Sequence, residues 1–384
     1  MKRAITILLI LLLAGSAAFA QARLDAAAPK DARTMAMGGA FVAMSEGYQS
    51  LYGNPAAFAD KKAELTLISV NPWVYVKPTT ENITAFQNVA ASIDDPSAII
   101  GPLTGLIEDN GVGAGLSAGL GWVGKGLGLG LLGGGEAYIS GNTLLGSAGT
   151  LDAQIAAVVG IGVPLKLGPF LFQVGGDIRP YLRMTGEIVG TDLLGSITGG
   201  TAFDAMALPV DVGFGLAVDL GAKLEVGKLV TVGLAIRDIS TKQNYSESNL
   251  GDVLAALQAG NLPEGADAPY TLSPNITIGA SITPIPVFLR KLVDVTLTAE
   301  IQDPLKVIND NASMWNLFHV GAEADLLGGL LAVRTGVNKG YISIGAGLDL
   351  LLIEVNVAVF TEELGRIPGD KGRTGVSAEV AIRF

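Results

Sequence analysis

The sequence predicts an all-β fold: a 14-stranded antiparallel transmembrane β-barrel with an N-terminal lumenal hatch and short helices in its extracellular loops. Three observations lead there. The chain opens with an export signal. Its mean hydropathy is +0.47 with only 16% charged residues, yet past residue 20 no apolar run has the character and length, about 20 residues, of a membrane helix. What it has instead is period two. In lipid every backbone polar group must be paired internally, so a chain without spanning helices crosses only as a closed barrel.

Taken in order, Met1-Lys2-Arg3, the apolar run from Ile5 to Leu13 and Ala18-Phe19-Ala20 form a signal peptide over residues 1–20. Its removal takes away Lys2 and Arg3 and no acid, moving the formal charge from -11 to -13. An acidic exported chain offers no basic surface for nucleic acid. With no cysteine and one histidine, His319, it holds no disulfides and no Cys- or His-cluster metal site. No cofactor is expected.

Residues 21–62 are small, apolar and Gly-rich without alternation. They need a dry place, and the lumen of the barrel formed by residues 63–384 supplies it. Strands are expected at 63–76, 112–123, 126–139, 151–165, 169–185, 207–222, 228–239, 271–283, 292–302, 315–326, 329–338, 340–350, 352–362 and 373–384. Val210, Val212, Phe214, Leu216 and Val218 alternate with Asp211, Gly213, Gly215, Ala217 and Asp219. Val376, Ala378, Val380 and Ile382 alternate with Ser377, Glu379, Ala381 and Arg383. Such strands are apolar toward lipid and polar or small toward the lumen. Connections alternate short and long, as periplasmic turns and extracellular loops do. Strand eleven departs from this and turns tightly at Lys339.

Two long loops carry helical patterns, 82–107, broken near Pro96 and Pro102, and 250–259. Helices there could cap the barrel mouth. Gly124–Gly135 reads GKGLGLGLLGGG and contains a formal G-x-G-x-x-G. A phosphate loop must open a helix after a strand, whereas Glu136-Ala137-Tyr138-Ile139 continues the strand. With period two, Leu127, Leu129 and Leu131 face lipid. Gly126, Gly128 and Gly130 face inward, a smooth patch for the hatch or a greasy ligand.

Asp31-Ala32-Arg33, Met37-Gly38-Gly39-Ala40-Phe41-Val42-Ala43 and Tyr52-Gly53-Asn54-Pro55-Ala56 resemble the start of the FadL/TodX superfamily of outer-membrane proteins. The turn Gly336-Val337-Asn338-Lys339-Gly340-Tyr341 and the run Thr361–Gly365 followed by Pro368-Gly369 resemble a FadL-like branch found in spirochaetes. The resemblance implies a cell outer-membrane transporter for passive uptake of hydrophobic small molecules such as long-chain fatty acids. Substrate would land on the outer loops, enter an apolar pocket and leave through a lateral opening as the hatch moves. PorV-like relatives imply the alternative, a scaffold or shuttle for secreted and surface proteins. Gly38, Gly39, Asn54, Pro55 and Ala56 are the hatch motif residues. The glycines permit positive φ, and Pro55 biases Asn54 toward extended backbone.

The expected partners are outer-membrane lipid, a hydrophobic ligand and the barrel-assembly machinery, reached through the C-terminal strand ending in Phe384. Ligand-binding candidates are Phe86, Val89, Leu254 and Leu257 with Ile83 and Val253 on the loop helices, where exposed apolar groups mark a landing site. Arg334 and Arg383 are candidates for a ligand carboxylate, since guanidinium binds carboxylates in bidentate fashion. Glu354 and Glu379 compete for them. Other lumenal charges, among them Asp177, Arg179, Asp219, Arg237 and Glu300, read first as structural ion pairs. His319 shares a face with Glu323 and Asp325, but no nucleophile is announced, so no catalytic residue is assigned and the chain is not read as an enzyme. A Gly- or Pro-weakened strand is the natural lateral gate.

Overall fold

The computed structural model describes residues 23–24, 29–92, 95–198, 204–227, 229–240, 244–261, 266–267, 271–272 and 274–384. The expected signal peptide and the first residues of the expected hatch lie outside these.

Among the described residues, fourteen antiparallel strands close into a barrel. They are β1 (Glu64–Tyr75), β2 (Val112–Gly124), β3 (Leu127–Ser140), β4 (Ala148–Leu167), β5 (Phe170–Val189), β6 (Pro209–Val226), β7 (Val230–Ser240), β8 (Asn275–Ile282), β9 (Val293–Gln302), β10 (Phe318–Leu326), β11 (Leu331–Asn338), β12 (Tyr341–Leu350), β13 (Ile353–Glu363) and β14 (Gly372–Arg383). Each pairs with its sequence neighbour, and β14 returns to β1, with Val380 opposite Val70. Closure pairs every strand and leaves no open edge in lipid. A ribbon at Asn244–Asn249 pairs with the upper part of β6, where β7 has peeled away, and Ala266–Asp267 extends it.

Alternation survives into the fold. In GKGLGLGLLGGG, Leu127, Leu129 and Leu131 are exposed on the outer wall while Gly128 and Gly130 point inward. Leu116, Leu120 and Trp122 on β2 and Val333, Val337, Ile342 and Ile344 on β11 and β12 continue the outer belt.

The wall is uneven. β4 and β5 run 20 residues each, whereas β8 and β11 run 8. The outward faces of the tall strands stay apolar above the belt and need cover in water. The loop helices supply it. α1 (Ala32–Ala36) belongs to the lumenal segment; α2 (Thr80–Ala91), α3 (Pro96–Asp109), α4 (Gly190–Thr198), α5 (Leu250–Gln258) and α6 (Pro304–Asn309) lie in loops. Ile107 of α3 packs with Ile139 and Leu144, with Val112, Ile188 and Leu194 at the edge. Val253 of α5 packs on Leu208, Val210 and Val212, flanked by Leu151, Leu182 and Met184. These strand residues face outward, so α3 and α5 sheathe the outside of the wall rather than cap the mouth. Pro102 sits inside α3, so the expected break there is absent. Burial of Leu106 and Ile107 one turn later holds the helix despite the lost hydrogen bond. The break expected near Pro96 is present: the next helix begins at Pro96, where proline is tolerated without cost.

Candidate functional site

From Pro29 to Lys62 the chain winds around the inner wall, and inward glycines of the strands set its path. A Cβ on Gly345 would stand 2.5 Å from Ala36 Cβ, on Gly336 2.2 Å from Gly38 N, on Gly279 2.8 Å from Val42 Cγ1, on Gly221 2.1 Å from Asn54 Oδ1, on Gly175 2.1 Å from Pro55 O, and on Gly128 2.6 Å from the Phe58 ring. Only bare backbone allows this approach. The glycines form a spiral seat from the β12 wall to the β3 wall, and the smooth patch of GKGLGLGLLGGG is filled by Phe58 and Leu51.

Polar groups fix the segment along this seat. Asp31 caps α1, its Oδ1 accepting from Thr34 N at 3.0 Å and from Gln49 Nε2 at 2.8 Å. Arg33 donates to both oxygens of Glu323, at 3.0 and 2.8 Å, and to Glu46 at 2.9 Å. Burial would depress the Arg33 pKa, but the Glu323 and Glu46 carboxylates hold it above the ordinary value. Gly38 and Gly39 take φ of 69° and 84°. Gly38 lies so close to β10 and β11 that a Cβ would meet Val337 N and O at 2.6 Å. His319 Nδ1 donates to Gly38 O at 2.8 Å, and Gln302 Nε2 donates to Gly39 O at 2.7 Å. Asn54 donates to Val42 O at 3.0 Å and Ala222 O at 3.3 Å, and accepts from Ala56 N at 3.0 Å, capping the 3-10 turn Pro55–Ala59. Arg237 donates to Tyr52 O, and Lys223 to Ser45 O at 3.1 Å. At the periplasmic end Asp60 accepts from Gln173 at 2.6 Å. Burial raises its carboxyl above the usual range, partly offset by Lys223.

Above the segment opens a cavity of about 710 Å³. Its floor carries Phe41, Tyr48 and Tyr52, and Trp73 stands in its wall. Glu136, Arg179, Arg237, Glu362 and Arg373 line it as well. Glu136 accepts from Trp73 at 3.1 Å and from Tyr75 at 2.6 Å. Arg373 lies 3.9 Å over the Tyr75 ring and pairs with Glu362 at 2.8 Å. Charged side chains and aromatic rings line this lumenal vestibule together, where the resemblance implies an apolar pocket. The lumen must first hold a folded segment by hydrogen bonds, and that need sets its chemistry.

The sequence-derived candidates fall in separate places. Arg334 pairs with Glu323 and donates to Asn356 at 2.7 Å. Arg383 is held by Glu354 and Glu379, the carboxylates expected to compete for it. Both arginines therefore belong to the network around the lumenal segment. Phe86 and Val89 are half-buried on α2, Leu257 packs against the α5 cluster, and Ile83 and Leu254 are exposed. The structure does not bring these helix residues together with the arginines. His319 serves as a hydrogen-bond donor to Gly38.

One feature of the wall escaped residue-level reading. β4 and β5 pair at Ala156 with Tyr181 and again at Val159 with Ile178. The two positions between are not bridged, because Pro180 has no N–H to give to its ladder bond. On the lipid face at this point lies a groove of about 500 Å³, lined by Leu131, Ile155, Leu182, Phe214 and Leu216 and reaching Tyr181 and Gly215. The proline was visible in the sequence; that it sits mid-wall between tall strands was not.

No family model matches the chain, and no curated protein matches it in sequence. Solved structures do match. The CymD monoaromatic hydrocarbon channel aligns over 92% of this chain and 97% of its own at 10% identity and a TM-score of 0.51. The Ralstonia pickettii toluene transporter TbuX aligns over 92% and 98% at 12% identity and 0.49. A Pseudomonas aeruginosa FadL homologue aligns over 94% and 99% at 11% identity and 0.41. The fold argument rests on the first. The chain has the fold of that channel, and its apolar outer belt places it in the outer membrane.

Proposed function

We propose that this outer-membrane barrel of FadL/TodX-like fold takes up hydrophobic small molecules passively, with residues 21–62 as a hatch and long-chain fatty acids as the ligand class. CymD is described as a monoaromatic hydrocarbon channel and TbuX as a toluene transporter. The single observation that carries the proposal is the pair of unbridged positions between β4 and β5 beside the apolar groove. A greasy molecule that reaches the aromatic floor of the vestibule needs a dry way out, and a wall weakened by a missing ladder donor next to lipid supplies one. The ion-paired lumen favours a second role, a PorV-like scaffold, because a plug tied on all sides has less need to move.

The chain has no cysteine, so a staple can be placed cleanly. Val159→Cys with Ile178→Cys joins β4 to β5 directly beside the unbridged positions and leaves Pro180 in place. Fatty-acid uptake into vesicles should fall when the disulfide forms and return on reduction. Uptake indifferent to the staple would move the exit elsewhere. No fatty-acid binding by the purified wild type would leave the scaffold role standing.

A further inference from the structure

The periplasmic rim on the short side of the barrel is built of large apolar residues, where turns facing water carry polar ones. The β10–β11 turn reads Leu327-Gly328-Gly329-Leu330, the β12–β13 turn Leu351-Leu352, and the β8–β9 connection contains Phe288 and Leu292. Phe288 is 80% exposed, Leu327 68% and Leu351 93%. The connections are neighbours on one rim and are bonded to each other: Leu327 N donates to Leu292 O and Asp349 N to Leu330 O, both at 3.0 Å. On the far side of the rim the turns are Lys125-Gly126 and Gly168-Pro169.

Strand length explains the difference. β8 and β11 have 8 residues and β10 has 9. Eight residues tilted about 40° climb roughly 20 Å along the membrane normal, against an apolar band about 25 Å tall. The upper end of this wall is marked by Trp315 and Phe318, exposed rings 5.9 Å apart at the start of β10. Such aromatic pairs mark the interface. Measured down from them, the band extends past the last strand residues and takes in the turns. The outward residues Val333, Ile344 and Leu348 run into Leu350 and Leu351 without a polar break, so the turn leucines continue an interface that already faces lipid.

We infer that these three connections are immersed in the periplasmic leaflet of the outer membrane, their side chains among the acyl chains. Exposed Lys291 reaches down to the phosphates, as lysine does at membrane boundaries. The short wall thus meets the bilayer by greasing its turns rather than by thinning the membrane.

Single-cysteine variants of the full chain, Leu351→Cys and Phe288→Cys, labelled with a nitroxide in phosphatidylethanolamine and phosphatidylglycerol vesicles, test this. Heat-modifiable migration verifies folding. Collision with oxygen should exceed collision with a water-soluble nickel chelate, as at the belt control Leu297→Cys. Nickel-favoured collision, as at the turn control Lys125→Cys, would put the rim in water, available to a periplasmic protein, and would overturn the inference. Dipolar broadening between labels would also overturn it by showing a second copy on this face.

Discussion

At the residue scale, the lumenal segment depends on side chains the wall lacks. Gly221→Val and Gly175→Val each push a branched side chain into Asn54 or Pro55, which already lie where a Cβ would stand. Overpacking of this kind costs about 1–3 kcal/mol. The urea midpoint in vesicles should fall and ion conductance rise; a rise in conductance without loss of barrel migration would locate the damage in the segment. Glu323→Gln weakens charge-assisted bonds to Arg33 and Arg334 and should cost about 2 kcal/mol, read from the same midpoint. Asp60 adds a pH term. Burial raises its folded pKa, so the folded state holds a proton that the unfolded chain releases near pH 4. Its contribution is therefore greatest below the unfolded value and is lost as pH rises through the folded one. Asp60→Asn should flatten that slope in unfolding midpoints measured across the acidic range.

At the element scale, strands were more legible than what covers them. Residues 126–139 were expected and Leu127–Ser140 found, 352–362 expected and Ile353–Glu363 found, because alternation repeats its signal along each strand. β4 and β6 run three and four residues further than expected at one end, where Gly and charge blur the period. Helix positions at Thr80–Ala91 and Leu250–Gln258 were legible from 3.6-residue spacing. Their docking face was not, since one apolar stripe fits a mouth or an outer wall equally well. Val253→Asp should therefore loosen the upper part of β4–β6 and open it to protease while leaving conductance unchanged; altered conductance would argue for a role at the mouth. Deleting residues 21–62 should have the opposite effect, a folded barrel with large, steady conductance in planar bilayers.

At the scale of the whole molecule, the belt decides stability. Ile344 lies outward near the middle of β12, exposed in the structure, and Ile344→Arg should cost about 2–4 kcal/mol in lipid, measured by reversible urea unfolding in vesicles. A cost near zero would mean that this face does not meet the membrane. Strand number, membrane location and the inward or outward direction of nearly every strand residue were determined by the sequence alone, because a period of two is a local property that lipid and backbone pairing then enforce. The tertiary structure alone decided that the bare glycines of GKGLGLGLLGGG and of the strands around the ring form one spiral seat, and that Arg334 and Arg383 are held by wall carboxylates. It also decided that Pro180 interrupts the ladder between two tall strands. Each of these joins residues far apart in the chain, and their meeting is set by strand tilt and register around the closed barrel, which no local pattern records.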